Sequence, residues 1–222
     1  MTTLYEVKCT GLTPLLMNGD DVPWADAMER WKNDPANKKF SKAGDDRTPA
    51  FRWIGSLWHD GKVVGIPTDV ISAALMGAAS KVPVPGGKNG KTFKRQSQSG
   101  MTIQGSLSPL LVRGKPIKIA DLDHLRSEMD FSKHEAAVAK HGFCLFVKRA
   151  TVGTSKHIRV RPRFDEWVFT YIAEVWDEQI TEQQIVSIAE IAGAAEGIGN
   201  WRPSAPKKPG SYGRYSVEVK AL

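Results

Sequence analysis

Arginine residues alternate with apolar residues in the stretch 156–163, Lys-His-Ile-Arg-Val-Arg-Pro-Arg. In a β-strand, alternate side chains point to the same face of the sheet. The stretch therefore predicts a strand with three guanidinium groups and one imidazole on one face: His157, Arg159, Arg161 and Arg163. Like charges on one face repel each other, so the pattern favours an anionic ligand lying across them. Acids on a neighbouring strand, such as Glu174 and Asp177, would neutralise the same face, and the sequence leaves this alternative open.

A second basic region lies in the middle of the chain. The net charge of the whole chain is +7, and residues 61–119 contain nine lysine or arginine residues and one acid, Asp69. Glycine and proline are frequent between Lys81 and Arg95, which disfavours a helix or a central strand there. We interpret residues 81–100 as a basic loop that binds phosphate, or alternatively as a solvated surface loop. Its expected phosphate ligands are Lys88, Lys91, Lys94 and Arg95.

A third group of candidate residues follows the last predicted helix. Glycines in this region permit backbone angles that bring the chain close to a ligand and expose amide groups. They are Gly197, Gly199, Gly210 and Gly213, and Arg202 and Arg214 between them are suited to bind phosphates. Stacking surfaces for bases are expected from four aromatic residues: Phe93, Trp201, Tyr212 and Tyr215. Alternatively, Gly197 only caps the helix and the remainder is a tight connection.

The elements that position these residues follow a recognisable order. Strands are predicted over residues 2–9, 156–163, 167–176 and 212–219, and helices over residues 67–79 and 182–195. The order strand, helix, strand, strand, helix, strand is that of the ferredoxin-like fold. We therefore predict one α+β domain over residues 1–222, with loop or hairpin insertions at about 20–58 and 81–145. Its four-stranded antiparallel sheet carries helices on one face and leaves the other free for a ligand, as in RNA recognition domains.

Three stretches of the chain resemble one known protein family. They are a strand entering GLTPLLMNG (residues 11–19), a helix introduced by GIPTDVISAALMGAA (residues 65–79), and a glycine-rich turn with a closing strand, GIGNWRP followed by GSYGRY (residues 197–203 and 210–215). Together they resemble the RAMP superfamily. These are ferredoxin-like RNA-binding proteins that form the backbone and processing subunits of CRISPR effector complexes. The resemblance covers residues 1–20, 60–80 and 156–219.

This resemblance implies roles for two of the candidate regions. The glycine-rich turn would lie beside an RNA backbone, with contacts from Gly197, Gly199, Arg202, Gly210, Gly213 and Arg214. The basic loop would be a thumb inserted between two bases or into the next subunit. The short chain and its insertions with tryptophan and proline also suit a phage-encoded relative.

Composition excludes several classes of protein. The chain has 222 residues, of which 41% are hydrophobic and 25% charged, as in ordinary globular proteins. It has no apolar run near the roughly 20 residues that cross a bilayer, and residues 1–20 lack the pattern of a signal peptide. Cys9 and Cys144 match no metal spacing and are too few for a disulfide framework. We therefore predict a cytoplasmic protein with no membrane contact, no metal and no cofactor.

These patterns lead to three hypotheses about function. The first is non-enzymatic, largely sequence-independent binding of single-stranded nucleic acid, with RNA favoured over DNA. Repeated copies of the chain, or other ribonucleoprotein subunits, would assemble along the strand in a CRISPR-like or phage particle. The second is metal-independent cleavage of RNA by the same fold, with His157 as the base. The third is a structural protein whose basic face binds an acidic protein partner.

Overall fold

The computed structural model describes residues 2–87 and 90–222. The strands are β1 (Thr3–Gly11), β2 (Leu15–Leu16), β3 (Gly65–Pro67), β4 (Met101–Ile103), β5 (Leu107–Pro109), β6 (Leu111–Val112), β7 (Lys115–Pro116), β8 (Cys144–Val152), β9 (Ser155–Phe164), β10 (Val168–Val175) and β11 (Tyr215–Ala221). The α-helices are α1 (Val22–Asn33), α2 (Thr68–Ala79), α3 (Lys94–Ser99), α4 (Phe131–Lys140) and α5 (Glu182–Ile191). Short 3-10 segments occupy Pro35–Phe40, Ala50–Ser56 and Ile119–Ser127, and a π-helical turn, Ala192–Glu196, extends α5. The chain is therefore a mixed α+β protein, as predicted.

The largest sheet has six strands and is antiparallel. Its order is β11-β1-β10-β6-β7, and β4 also pairs with β10. Alternate residues of β1 are buried, namely Tyr5, Val7 and Cys9. The register places Val7 opposite Tyr171 and Cys9 opposite Phe169 of β10, and both partners are buried too. Because side chains alternate with a period of two along a strand, one whole face of this sheet points toward the core.

Helices α2 and α5 pack with this buried face in one hydrophobic core. The buried residues of α2 include Ile71 and Leu75, and those of α5 include Ile185 and Ile188. This spacing of three or four residues forms an apolar stripe along each helix. The two helices contact each other, and α5 also contacts β11. No helix within residues 2–87 and 90–222 combines the length and the apolar character that a membrane span requires.

The predicted four-stranded ferredoxin-like sheet is not confirmed, because the strand over residues 156–163 lies in a separate sheet. That strand, β9, pairs with β8 on one side and β2 on the other, in a three-stranded antiparallel sheet. Strands β4 and β6 pair with β10 instead. A two-residue turn containing Gly153, whose φ is +60°, joins β8 to β9. Such a tight hairpin makes β8 the nearest available partner for β9.

The face of the large sheet that the helices leave open carries charges of both signs. Lys8 of β1 forms an ion pair with Glu218 of β11, with 3.1 Å between Nζ and Oε1. The register places Glu6 and Glu174 on the same face. All residues of β1, β10 and β11 are described, and the aromatic ones among them lie on the buried face. This open face therefore lacks the aromatic residues on which RNA recognition domains stack bases.

Residues 20–58, predicted as an insertion, form α1 and two of the 3-10 segments. Asp21 caps α1, since its Oδ1 accepts a hydrogen bond of 3.0 Å from the Trp24 amide. Trp24 and Trp31 each pack edge-to-face against Phe51, with ring centroids 6.2 and 5.6 Å apart. Edge-to-face pairs of this kind stabilise a contact beyond the area that they bury. The aromatic residues of the insertion thus fix α1 against the 3-10 segment Ala50–Ser56.

Buried His134 couples the stability of the fold to pH. Its Nδ1 accepts a 3.0 Å hydrogen bond from Trp53 Nε1, and its Nε2 lies 3.0 Å from the Glu128 carbonyl oxygen. Burial lowers the pKa of His134 below its ordinary value. The unfolded chain therefore binds this proton more readily, so stability is lost as the pH falls through the unfolded pKa of about 6.5.

We expect the Tm, followed by circular dichroism, to fall between about pH 7.5 and about pH 5.5. The variant His134→Gln should flatten that fall, because glutamine does not titrate and its amide oxygen can still accept from Trp53. An equally steep fall in the variant would show that other groups cause the pH dependence.

Candidate nucleic-acid interface

The alternation predicted for residues 156–163 is present in β9. Val160 and Phe164 are buried, and four residues lie on the opposite face: His157, Arg159, Arg161 and Arg163. Directly paired residues of antiparallel strands share a face. Phe146 pairs with Arg161 and Lys148 with Arg159, so both β8 residues lie on this face as well. We call it the outer face of the β8–β9 hairpin.

Three aromatic rings form a cluster at one end of this outer face. The centroid of Phe146 lies 6.1 Å from Trp201 and 6.1 Å from Tyr212, and the last two are 6.2 Å apart. All three side chains are half-buried, so part of each ring is accessible. We call Phe146, Trp201 and Tyr212 the aromatic platform. Two of its members, Trp201 and Tyr212, are among the stacking residues that the sequence predicts.

Two cations lie on the aromatic platform. Lys148 Nζ is 4.5 Å from the Trp201 ring centroid, and Arg163 Cζ is 5.7 Å from that of Phe146. Cations within about 6 Å of a ring face are attracted by its quadrupole. Phe146 and Lys148 are not among the residues predicted from the sequence, and their spacing of two residues within β8 places them on one face. The platform thus offers rings for bases and cations for phosphates within one small area.

The loop that carries Trp201 is held by backbone contacts. Trp201 has a φ of +53°, and its amide donates a 3.0 Å hydrogen bond to Asn200 Oδ1. The Asn200 amide donates a 2.8 Å hydrogen bond to the Leu16 carbonyl oxygen of β2. Gly199 follows β2 closely as well, since a Cβ there would lie 2.8 Å from Leu15 Cδ1. The loop therefore presents Trp201 from a fixed position beside the smaller sheet.

The glycines of this loop serve internal packing. The amides of Gly197, Gly210 and Gly213 donate hydrogen bonds to the carbonyl oxygens of Ala192, Arg202 and Pro14. A Cβ on Gly213, whose φ is +69°, would overlap the Ile198 carbonyl oxygen. The prediction that these glycines expose amide groups to a ligand is therefore wrong at positions 197, 210 and 213.

Arg202 and Arg214 also bind the loop itself. Arg202 Nε donates to Ser204 Oγ at 3.1 Å, and its Nη1 donates to the Gly199 carbonyl oxygen at 3.2 Å. Arg214 is exposed, and its Nε donates a 3.0 Å hydrogen bond to the Ala194 carbonyl oxygen. These bonds hold the loop that carries Trp201, and contact with a phosphate stays a prediction for both arginines.

Two arginines of the outer face, Arg159 and Arg161, share one buried carboxylate. Asp46 Oδ1 lies 3.1 Å from Arg159 Nη1, and Asp46 Oδ2 lies 3.6 Å from Arg161 Nη1. Arg161 is largely buried, and desolvation lowers the pKa of its guanidinium. The acid that pairs with Arg159 and Arg161 therefore comes from the insertion. Of the two acids suggested by the sequence, Glu174 lies on the large sheet in β10, and Asp177 follows that strand. Arg163 pairs separately with exposed Asp165, at 2.7 Å.

Parts of the basic loop have a defined structure. Lys91, Lys94 and Arg95 are exposed, and the last two begin helix α3, which packs on α2 and β4. Helix α3 corrects the prediction that the segment contains no helix. Lys81, at the base of the loop, forms an ion pair with Glu196 beside the glycine-rich turn. The predicted phosphate ligand Lys88 lies outside the described residues.

Two of the predicted stacking residues belong to the core. Phe93 and Tyr215 are only 1% and 2% exposed, so neither ring can stack on a base, and this part of the prediction is wrong. Phe93 follows a loop whose turn residues suggested exposure, but its ring packs in the main hydrophobic core. Tyr215 begins β11, where its ring meets Trp167 and Phe169 edge-to-face.

The predicted base His157 lies beside the insertion. A Cβ on Gly44 would approach its Nδ1 to 3.1 Å, and the ring is half-buried. Lys42 and Arg159 line the same cavity. This cationic setting suits a phosphate contact, and a role for His157 in proton transfer stays a prediction.

No protein-family model and no curated protein matches the chain. Among solved structures, the chain is similar to a chain in the cryo-EM structure of the type III-B Cmr-beta bound to cognate target RNA, with a TM-score of 0.47 and 12% identity. That match covers 100% of this chain and 61% of the other, so the chain spans about three fifths of its length. A second similar structure is Cmr6 from Pyrococcus furiosus, with a TM-score of 0.39, 11% identity and coverage of 98% and 99%.

Proposed function

We propose that this protein binds single-stranded nucleic acid, with RNA favoured over DNA, and does so without cleaving it. The observation that carries the proposal is the aromatic platform with Lys148 and Arg163 lying on its rings. Binding of unpaired strands without sequence preference combines aromatic surfaces for bases with cations that follow the backbone. Both components are present on the outer face of the β8–β9 hairpin.

The arrangement of the platform supports binding without sequence preference. Every base has a π-face that can stack on Phe146 or Trp201, whatever its hydrogen-bonding edge. Exposed Lys148 and half-buried Arg163 stand beside those rings, where the phosphates of a stacked strand would pass. Neutralising these phosphates releases counterions, which makes the binding dependent on salt.

The proposed setting is a ribonucleoprotein in which copies of the chain, or other subunits, line the strand. This part of the proposal rests on the resemblance of the sequence to the RAMP superfamily, which also favours RNA as the strand. Contacts to the 2′-hydroxyl are what distinguish RNA from DNA, so the test compares the two strands directly.

The test is a titration of a labelled 30-mer, as RNA and as DNA, at two salt concentrations without divalent metal. We expect salt-sensitive binding, stronger for RNA, and an intact strand on a denaturing gel. Lys148→Ala should reduce the slope of log K against log salt by about 0.7, the contribution of one phosphate contact on a single strand. The matched control is Lys140→Ala, at the exposed end of α4.

The remaining outcomes of this titration would overturn the proposal in different ways. If the wild type cuts the strand, and the variant His157→Ala binds the strand without cutting it, metal-independent cleavage is assigned to His157. If neither RNA nor DNA binds at low salt, the hypothesis that the basic face binds an acidic protein partner is favoured.

A further inference from the structure

A second cationic site lies where the insertion over residues 20–58 meets β9. It is a cleft of about 490 Å³ between α1, the segment Pro35–Phe40 and β9. Six of its lining residues are basic: Lys32, Lys38, Lys42, Arg52, His157 and Arg159. No acidic residue is among the residues that line it within the described part of the chain. We call this site the insertion cleft.

The walls of the insertion cleft are fixed by backbone hydrogen bonds. The Ile158 amide donates a 2.8 Å hydrogen bond to the Gly44 carbonyl oxygen. The Asp46 amide donates a 3.0 Å hydrogen bond to the Ile158 carbonyl oxygen. These two bonds join the insertion to β9 in a parallel bridge. Gly44, with φ +76°, allows the chain to turn closely over the His157 ring. The basic side chains are therefore brought together by ordered backbone on both sides.

Positive charge in the cleft exceeds the negative charge available to balance it. Arg52 and Arg159 each contact the same carboxylate, Asp46, at 3.3 and 3.1 Å. The neighbouring carboxylate, Asp45, is already occupied by Arg47, at 2.7 Å. Five lysine and arginine residues therefore line the cleft, and Asp46 is the carboxylate that pairs with two of them, Arg52 and Arg159. An excess of this size favours an anion that carries several charges.

The lowered pKa of Lys32 agrees with an excess of positive charge in the insertion cleft. Desolvation, followed by the positive charge of Arg52, lowers the pKa of Lys32, and Asp46 and Glu29 oppose the shift only in part. A half-buried lysine held beside a guanidinium is stabilised when an anion enters between them.

We propose that the insertion cleft binds a polyphosphate group, that is, two or three linked phosphates. An internal phosphodiester carries one negative charge, which would leave most of these cations unbalanced. A triphosphate concentrates three or four charges in a short chain, and the cleft volume lies in the usual range for small-ligand sites. The group would come from the 5′ end of a strand, in which case the inference rests on the proposed function, or from a free nucleotide.

The first test uses inorganic tripolyphosphate as the probe, titrated calorimetrically into the whole protein. The double variant Lys32→Gln, Lys38→Gln removes two charges from the cleft and should weaken binding by about 100-fold, about tenfold for each charged contact. Lys39→Gln is the matched control, because Lys39 lies over the Phe40 ring and does not line this cleft. Equal affinities of the double variant and the control, or no binding of tripolyphosphate by the wild type, would overturn the inference.

The second test separates the two sources of the group. A 30-mer RNA with a 5′-triphosphate should bind about tenfold more tightly than the same RNA with a 5′-hydroxyl if the strand end is the ligand. Equal affinities, with tripolyphosphate still bound, would assign the cleft to a free nucleotide. Loss of salt-sensitive binding of the 5′-hydroxyl RNA would contradict the proposed function alone, since that strand carries no polyphosphate.

Discussion

Replacing both Phe146 and Trp201 with alanine is expected to weaken binding of a single-stranded 30-mer RNA by about 100-fold. Alanine substitution of a stacking residue costs about 1–3 kcal/mol per base, so each ring should contribute about tenfold. The double variant also removes the surfaces on which Lys148 and Arg163 rest, so these cations lose their fixed positions. Fluorescence anisotropy of the labelled strand at low salt measures the effect directly.

Two further variants distinguish loss of stacking from general damage to the hairpin. Val147→Ala changes the neighbouring residue of β8, which is 39% exposed on the opposite face, and should leave the affinity unchanged. Phe146→Leu keeps the apolar volume without the aromatic ring and should lose most of the contribution of Phe146. Wild-type affinity of the double variant would remove the aromatic platform from the binding surface. A loss in Val147→Ala as large as that in the double variant would indicate damage to the hairpin.

Asp46→Ala is expected to cause the largest loss of stability. The change leaves three guanidiniums, those of Arg52, Arg159 and Arg161, without the carboxylate that they share. Removing one partner of a buried ion pair costs about 3 kcal/mol or more. In a chain of this size that corresponds to a fall of about 6–12 °C in Tm, which a thermal melt can measure.

The matched control for this prediction is Asp165→Ala. Its ion pair with Arg163 is shorter than those of Asp46, 2.7 Å, but the Asp165 side chain is 58% exposed. Exposed ion pairs contribute at most about 1 kcal/mol, so Tm should change little. Equal losses in the two variants would mean that burial of Asp46 does not determine its contribution. Tripolyphosphate should restore part of the Tm of Asp46→Ala, because it supplies negative charge beside Arg52 and Arg159.

Local patterns in the sequence predict individual elements well. The strand predicted over residues 2–9 is observed as Thr3–Gly11, and the helix predicted over residues 67–79 as Thr68–Ala79. The helix predicted over residues 182–195 is α5 together with its π-helical turn, Glu182–Glu196. Each depends on spacing and on breakers such as Pro67 and Gly197, which act within a few residues.

Pairing between distant elements could not be predicted in the same way. The strand predicted over residues 156–163 is present as β9, but it lies in the three-stranded sheet and not in the predicted one. Its sequence has the same alternation whether it pairs with β8 or with β10, and the choice depends on the short connection from β8. Phe93 and Tyr215 show the same difficulty, because a ring beside a turn or at the start of a strand can point to solvent or to the core.

The sequence by itself determined that three arginines lie on one strand face, because the period of a β-strand follows from backbone geometry alone. It also determined that Trp201 follows a helix in a glycine-rich turn. Only the tertiary structure decided that Asp46, 113 residues away, neutralises Arg159, and that Phe146 of β8 meets Trp201. Contacts of this kind are set by how whole elements pack, and the burial that drives packing is a property of the complete chain.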